Sequence, residues 1–388
     1  MTEKLYYTTP YETRFEARVI SCVRQGDAWL AVLERTLFYP EGGGQPADHG
    51  TLGGRRVLDV HERGDDVVHT LDGPLREGEL VEGLVDWPRR FSLMQHHSAE
   101  HMVSGTVHRL FGFDNVGFHM GGDCVTMDFS GPLEQSQLDE VEDTVNRGIW
   151  ENRALRCFYP GREALGALSY RSKKELDGEV RLVEVPEYDL CACCGLHVAR
   201  TGEIGLVKLT GSQRYKGGTR VSMLCGERAL ADYRERNAQA RELSALYSAR
   251  VHEIVPAAAR VLAERDEWKA RCAALERELF ARRAEAYAGR DTVCVIEEGL
   301  SPAGCRLFGE ALMARCGLAV VLGGSEGARC YAVASASCDV RPIVKEANAA
   351  LMGRGGGNAQ LAQGSFAAPD EAIKEHFKRK EKSCESAG

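Results

Sequence analysis

No apolar stretch of this 388-residue chain approaches the ~20 residues that span a bilayer. The opening segment, MTEKLYYTTPYETRFEARV, is polar and charged and lacks the apolar core of a signal peptide. Together these predict a soluble, cytosolic protein with no membrane partner. A positive excess is also lacking. Lys and Arg number 49 against 57 Asp and Glu, for a net charge of −8. That excludes a uniformly basic nucleic-acid binder but leaves room for a local basic surface, because phosphate contacts depend on local charge. There is no internal repeat and no long low-complexity tract, which excludes solenoids and linker-like chains. What is present is an ordinary globular balance, 44% apolar and 27% charged, so the chain folds.

Cysteine is the one abundant exception, with 14 residues. In a reducing compartment these stay thiols, so a cluster points to metal or catalysis rather than to disulfides. Ten are scattered singly, and burial accounts for most of them. Cys191, Cys193 and Cys194 are clustered, and Cys225 follows in the next basic segment.

The expected fold is α+β and multidomain. Residues 1–88 carry short alternating or apolar runs separated by glycine and aspartate turns, a pattern for a small N-terminal β-barrel with a glycine-rich segment. Residues 89–228 mix helix and strand, beginning with a helix over 92–110 that has one apolar side. Residues 229–287 show a coiled-coil or helical-hairpin pattern, kinked at Pro256, suited to a spacer or a dimerisation helix. Residues 290–388 read as a separate C-terminal α/β domain with a glycine-rich loop and a helical tail after 370.

His97 and His101 stand at i and i+4, on one face of a helix and close enough to share an ion. Cys193-Cys194-Gly195-Leu196-His197 offers a thiolate and an imidazole four residues apart. The set suits tetrahedral Zn²⁺, one per chain. Cys193 has the best spacing to His197, although Cys191 and Cys194 are near. His96 points about 100° away from His97 and is a packing neighbour; His108 is about 10 Å of rise from His101, too far to share the ion. Taken alone, His97-x-x-Glu100-His101 is also the inverted zinc-peptidase pattern, with Glu100 as general base. A peptidase needs a carboxylate as third ligand from a downstream helix, where this chain offers a Cys/His motif.

QHHSAEH at 95–101, CCGLHVARTGEIG at 193–205 and RYKGGTRVSMLCGERAL at 214–230 resemble the editing domain of alanyl-tRNA synthetase and its freestanding relatives, the alanyl-tRNA editing proteins. LFYPEGGGQPADHGTL at 37–52 resembles the glycine-rich segment of the barrel before that domain, and the segment 127–152 resembles its connecting stretch. LMGRGGGNAQLAQGSF at 351–366 resembles the synthetase's C-terminal glycine-rich domain. The resemblance implies a zinc-binding editing domain over 89–228 with ligands His97, His101, Cys193 and His197. With no aminoacylation domain before residue 1, it implies a freestanding aminoacyl-tRNA deacylase, an ester hydrolase rather than a ligase. The implied substrate is alanine tRNA mischarged with serine or glycine. Two positions depart from the family: Ser98 replaces a frequent threonine and keeps its hydroxyl, and Leu196 replaces another and loses it.

An apolar pocket discriminates an added hydroxyl by only about 10²-fold, so a second, hydrolytic site is the means to recover fidelity. The expected pocket groups are Ser98 and Glu100 beside the metal, with Gly42, Gly43, Gly44 and Gln45 packing over the cleft; Ser98 or Gln45 would pair the extra hydroxyl of a seryl ester. For RNA, Lys208, Arg214, Lys216 and Arg220 stand between 204 and 226 without an acid, a local +4. Arg354 and Asn358, around a glycine run, are candidates for phosphate contact in a C-terminal domain that serves tRNA binding or dimerisation. A homodimer through the helical segment or that domain is the expected assembly. The rival from another class is a non-catalytic tRNA-binding protein with a structural zinc.

Overall fold

A computed structural model describes residues 1–122, 124–172 and 179–381. The expectation for the extreme C-terminus, 382–388, lies outside the described residues. The chain divides into two compact units, Met1–Ala240 and Arg241–Gly388.

In the first unit, six strands close into an antiparallel barrel in the order Arg14–Gln25, Ala28–Leu33, Asp66–Leu71, Arg55–Arg63, Gly50–Leu52, Leu80–Val85. Alternation sends Phe15, Ala17, Val19, Val81 and Val85 inward. Gly83 is small because a Cβ there would fall 2.2 Å from the Phe15 ring. The barrel does not own a separate core. Its inward residues join Leu93, Met102, Val141, Val221 and Met223 in one apolar cluster. Residues 1–88 and 89–228 therefore fall in one unit.

That junction is pinned by a buried ion pair. Arg90 and Asp48 are both fully buried. The Arg90 Nε donates to both Asp48 oxygens at 2.9 Å, Nη1 donates to Pro10 O at 3.0 Å and Nη2 to Leu37 O at 2.5 Å. Asp48 also accepts the Tyr39 N–H at 2.6 Å. A buried charge this fully hydrogen-bonded is tolerable, and it fixes the glycine-rich segment against the first residues of the histidine helix.

The histidine helix runs Trp87–Phe111. The Asp86 carboxylate caps it by accepting Arg89 N–H, Pro88 sits in its first turn, and Gly112, at φ 72°, ends it in the left-handed region. Sequence periodicity predicts one buried side. Instead every residue from Leu93 to Val107 is buried, because the helix is enclosed by the barrel, by the helix Gln135–Trp150 and by two sheets. One sheet has four strands in the order Val207–Tyr215, Gly218–Cys225, Val125–Phe129, Asn115–Met120; the other has three, Arg156–Phe158, Leu182–Val185, Asp189–Ala192.

The helical segment differs from one kinked rod. It is two helices, Gly226–Leu246 and Ile254–Ala284. The break falls at Ser248, which has φ 49°, before the 3₁₀ turn Val251–Glu253. Pro256 lies in the first turn of the second helix, where a missing N–H has no helical acceptor to lose. In the second unit a five-stranded sheet runs Thr292–Ile296, Leu318–Ser325, Ala328–Ala334, Leu361–Phe366, Gly353–Gly357. Leu318, Val320 and Leu322 enter one core and Ala319 and Val321 the other, so this sheet is covered on both faces. The glycine run expected as a loop is its edge strand. Glycine is needed there because a Cβ on Gly355 would meet Gln363 O at 2.3 Å and one on Gly357 would meet Leu361 O at 2.1 Å.

Candidate metal centre

His97, His101 and His197 and Cys193 bring one ligand atom each within 4.8 Å of one another. The first two come from successive turns of the enclosed helix, and the others from the loop after the strand Asp189–Ala192. Two glycines permit the approach. A Cβ on Gly195 would fall 1.9 Å from His97 Cε1, and one on Gly105 would fall 2.2 Å from Tyr188 O. Gly105 is one turn beyond His101, so its bareness lets the neighbouring strand come in far enough for Asp189 to reach that histidine.

The outer nitrogens of the three rings are all engaged. His97 Nδ1 lies 2.9 Å from Gln45 Oε1, which also accepts Leu196 N–H at 3.0 Å. His101 Nδ1 lies 2.9 Å from Asp189 Oδ2. Ser98 Oγ gives its single proton to Met94 O at 2.8 Å and accepts Val198 N–H at 3.1 Å. Its 3.3 Å contact with His197 Nδ1 therefore makes the ring the donor. Each Nδ1 thus carries a proton toward an acceptor, and each Nε2 is left facing Cys193. His97 Nε2 is 3.3 Å from Cys193 Sγ, and His197 Nε2 is buried without a well-formed hydrogen bond. Buried ring nitrogens aimed at a thiol, with their outer nitrogens oriented by protein acceptors, are the donor set of a tetrahedral N/S metal site. A tetrahedron with Zn–N near 2.0 Å and Zn–S near 2.3 Å has edges of about 3.3–3.6 Å; the His97 Nε2–Cys193 Sγ distance of 3.3 Å matches one such edge, and the four ligand atoms lie within 4.8 Å of one another.

The electrostatics agree. Burial alone lowers the basicity of His101, but Asp189 and Cys193 outweigh it and hold the ring well above the ordinary histidine range. Burial would raise the Cys193 thiol, yet the neighbouring imidazoles, His97 foremost, hold it well below the ordinary thiol range. His197 is driven down to about 3, chiefly by burial. A divalent cation would take the place of the proton held between thiolate and imidazole, leaving both as ligands.

The other predicted residues are distributed unevenly. A cavity of ≈ 540 Å³ opens on the centre and is lined by His97, His101 and Cys193 together with Gly43, Gly44 and Glu100. Glu100 Oε1 accepts from Ser104 Oγ at 2.7 Å and Asn115 Nδ2 at 2.6 Å, while Oε2 lies 3.9 Å from His101 Nε2. Gly42, Gln45 and Ser98 do not line the cavity. Ser98 and Gln45 are fully buried, with the contacts above spent on His197 and His97. Gln45 Nε2 is buried without a hydrogen-bond partner, so His97 and Leu196 engage only the oxygen of that amide. Leu196 belongs to the apolar core, which explains the missing hydroxyl. His96 packs away from the centre, with Nδ1 2.7 Å from Ser92 O and Nε2 accepting Cys225 N–H at 3.2 Å.

The local +4 of the basic segment is not a free charge of +4. Lys208 pairs with Glu142 at 2.6 Å, and Arg220 with Asp128 at 2.6 and 2.8 Å. Both acids come from distant sequence. Arg214 and Lys216 remain, at the tip of the hairpin Val207–Tyr215/Gly218–Cys225, where Lys216 and Gly217 both have positive φ as a tight hairpin turn requires. In the second unit Arg354 is exposed, whereas Asn358 Oδ1 accepts the N–H groups of Gln360 and Leu361 and so builds a turn. Sequence reasoning missed three supports: Asp189, Arg171, which holds Asp189 through contacts of 2.7 and 2.8 Å, and Arg181. The Arg181 Nη1 donates to Cys193 O at 2.8 Å and Gly195 O at 2.9 Å, clamping the ligand loop. No spacing signals these residues.

The family described as "Threonyl and Alanyl tRNA synthetase second additional domain" matches residues 180–222, which include Cys193 and His197 of the cluster. Alanine–tRNA ligase of Ignicoccus hospitalis is 34% identical over 63% of this chain and 28% of its own length. The ligase of Pyrobaculum neutrophilum is 32% identical over 97% of this chain and 44% of its own, and that of Methanoregula boonei 31% over 94% and 41%. The C-Ala domain of Aquifex aeolicus alanyl-tRNA synthetase aligns with 24% of this chain and 87% of its own at 20% identity and a TM-score of 0.21, too low to bear on the fold. The chain is similar to alanine–tRNA ligases and spans less than half the length of these relatives. Among the described residues no helix is long and apolar enough to cross a membrane.

Proposed function

We propose that this protein is a zinc-dependent trans-editing hydrolase of the cytosol that removes serine, or glycine, from mischarged alanine tRNA and does not charge tRNA itself. The observation that carries the reading is the convergence of three outward-anchored imidazoles on one buried thiol, beside a cavity and within an alanyl-tRNA-synthetase-like chain. His97, His101, Cys193 and His197 would hold one zinc. When bound, the metal supplies a Lewis acid beside the ester. The chain's own groups do the rest. Gln45, Asp189 and Ser98 hold the rings, Arg181 fixes the loop, and Glu100, braced by Ser104 and Asn115, stands at the cavity wall to accept the proton of an attacking water. Gly43 and Gly44 give the substrate a bare backbone wall.

Of the cations named from the sequence, Arg214 and Lys216 on the hairpin and Arg354 in the second unit remain for phosphate. A peptidase is disfavoured, since the partners converging on the histidine pair are a thiol and an imidazole, and Asp189 approaches His101 from its outer nitrogen. For assembly, Val261, Trp268 and Leu275 recur every seventh residue of Ile254–Ala284 and are 49%, 61% and 58% exposed. That seam is suited to a second copy of the same helix.

The deciding experiment loads the full chain with zinc and follows ester loss from alanine tRNA charged with serine, glycine or alanine. Faster loss of serine or glycine than of alanine is the expected result. A zinc-loaded protein inert on all three overturns the reading in favour of a binding protein with structural zinc.

A further inference from the structure

A second, larger cavity of ≈ 660 Å³ adjoins the metal cavity, and nothing in the sequence motifs points to it. Val116 and Ser172 line both. Val116 is 68% exposed on the strand Asn115–Met120, an apolar side chain standing in water at the junction of two hollows. The wall behind that junction is rigid: Asp189 lines the larger cavity and is tied both to His101 and to Arg171.

The charged side chains that line the larger cavity separate into spent and unspent. Arg171 is bound to Asp189, and Asp114, an exposed carboxylate on the same wall, lies 2.9 Å from His108 Nδ1. Arg109 is exposed and makes no ion pair among the described residues. Tyr170 and Tyr188 contribute two phenol rings to the same wall. Tyr188 is held in place because its hydroxyl donates to Thr144 O at 3.4 Å. A fixed ring, a second ring and one uncompensated guanidinium are the elements by which proteins hold unpaired RNA: faces for bases to stack on, and a cation for the backbone. Elsewhere on the metal cavity's wall stands the carboxylate Glu179, which repels phosphate, and Arg181, whose Nη1 is committed to the ligand loop.

Resting on the deacylase reading, we infer that the larger cavity takes the unpaired RNA strand leading to the reacting ester, crossing Val116, with Arg109 on a phosphate and Tyr170 and Tyr188 against bases. The strand cannot end at the metal. An ester on a terminal ribose leaves the preceding nucleotides to exit the smaller cavity, and this side offers stacking faces with an unpaired cation. It also explains why an apolar residue is left exposed at Val116.

The test uses full-length, zinc-loaded protein and two substrates that share the ester but differ in RNA: serine-charged alanine tRNA and 3′-O-seryl-adenosine. For Arg109→Glu, the ratio of kcat/KM on charged tRNA to kcat/KM on seryl-adenosine falls about tenfold, the loss of one charge-assisted contact. Val116→Trp, at an exposed position that does not endanger folding, lowers the same ratio by obstructing the crossing. Arg109→Ala reduces the slope of log affinity for tRNA against log salt by about 0.7, as one single-strand phosphate contact does. Ratios unchanged in both variants, with active wild-type protein, overturn the inference. Wild-type protein inert on both esters overturns the deacylase reading instead. In that event, binding of an uncharged CCA-ended oligoribonucleotide decides the cavity: weaker with Arg109→Glu supports it, equal binding defeats it.

Discussion

Two long helices of this chain invert the usual amphipathic rule in opposite directions. Trp87–Phe111 buries polar side chains, among them Arg90, Gln95, His96, His97, Glu100 and His101. Ile254–Ala284 exposes apolar ones, among them Val255, Val261, Trp268 and Leu275, and buries only Ala257, Phe280 and Ala284. In the first, the charged, amide and imidazole groups are met, Arg90 by Asp48, Gln95 by Glu203 O, His96 by Ser92 and Cys225, Glu100 by Ser104 and Asn115, while the Thr106 hydroxyl is buried without a partner. Burying such groups unmet would cost about 1–3 kcal/mol each, so their presence marks a site built for them. In the second, apolar groups stand exposed, as on a surface that a partner would cover.

The largest effect that tests this contrast belongs to the first helix. His101→Ala removes one ligand, frees Asp189 and leaves a buried thiolate with two rings. The expected zinc content falls from about one per chain to none, with a loss of deacylation exceeding the ~100-fold typical of losing only a supporting hydrogen bond. Elemental analysis of the purified variant is the check; full zinc occupancy would refute the assignment. Next is Gly105→Ala. Its Cβ would fall 2.2 Å from Tyr188 O and 2.8 Å from Asp189 Cβ. It is expected to destabilise the protein by roughly 1–3 kcal/mol and, by pushing Asp189 off His101, to weaken zinc binding by about 10–100-fold. Chelator competition and urea unfolding measure the two separately. A variant with wild-type zinc affinity would show that Asp189 does not depend on this close approach.

The barrel also buries an ionisable group, His69, and here the buried ring is neutral. It is fully buried, its Nε2 is 2.8 Å from Thr36 Oγ1, and burial lowers its pKa to about 4. An unfolded chain protonates this ring near pH 6.5, whereas the folded chain resists until about pH 4. Folding stability is therefore complete above pH 6.5 and drains away as pH falls toward 4, by about 1.4 kcal/mol per pH unit and about 3 kcal/mol in all. Urea unfolding of wild-type and His69→Asn proteins from pH 7.5 to 4.5 isolates the share of this ring, as the variant's curve is flatter. Parallel curves would mean that the ring is not neutral in the fold.

How far the sequence discloses each region follows from the same contrast. Candidate metal ligands are chemically rare and locally spaced, so His97, His101 and a Cys/His pair at 193–197 stand out by residue type and spacing, with Cys191 and Cys194 as near alternatives to Cys193; the full set of four comes from the resemblance, and the fold brings those four together. Gly105 and Gly195 carry no such mark, because a glycine's role depends on what approaches it, and those neighbours are distant in sequence. Asp189, Arg171 and Arg181 are hidden for that reason. Ser98 and Gln45 are recognised as polar groups near a metal, but their direction is set by Met94 O, Val198 N and Leu196 N. The basic segment misleads because counting acids within 204–226 cannot see Asp128 or Glu142. The short runs and turns of the first 88 residues correspond to strands, since alternation is a local property. The edge strand Gly353–Gly357 escapes because glycine has poor strand propensity, and tight cross-strand packing there overrides it.

The smallest expected effect on stability lies on the exposed helix. Val261→Gln, Trp268→Gln and Leu275→Gln, made together, remove side chains that are about half or more exposed. Surface substitutions without buried partners usually change stability by no more than about 0.5 kcal/mol each, so the thermal midpoint should move by only a few degrees and circular dichroism should be unchanged. What should change is association. If a second copy covers the seam, wild-type protein sediments as a dimer at micromolar concentration and the triple variant as a monomer of equal fold and zinc content. A variant that stays dimeric removes the seam from the interface. A variant that unfolds would show that these side chains support the chain's own fold, and the contrast between the two helices would then collapse. Retained folding with lost association would establish it: one helix holds polar groups for chemistry inside the chain, the other holds apolar groups for a surface outside it.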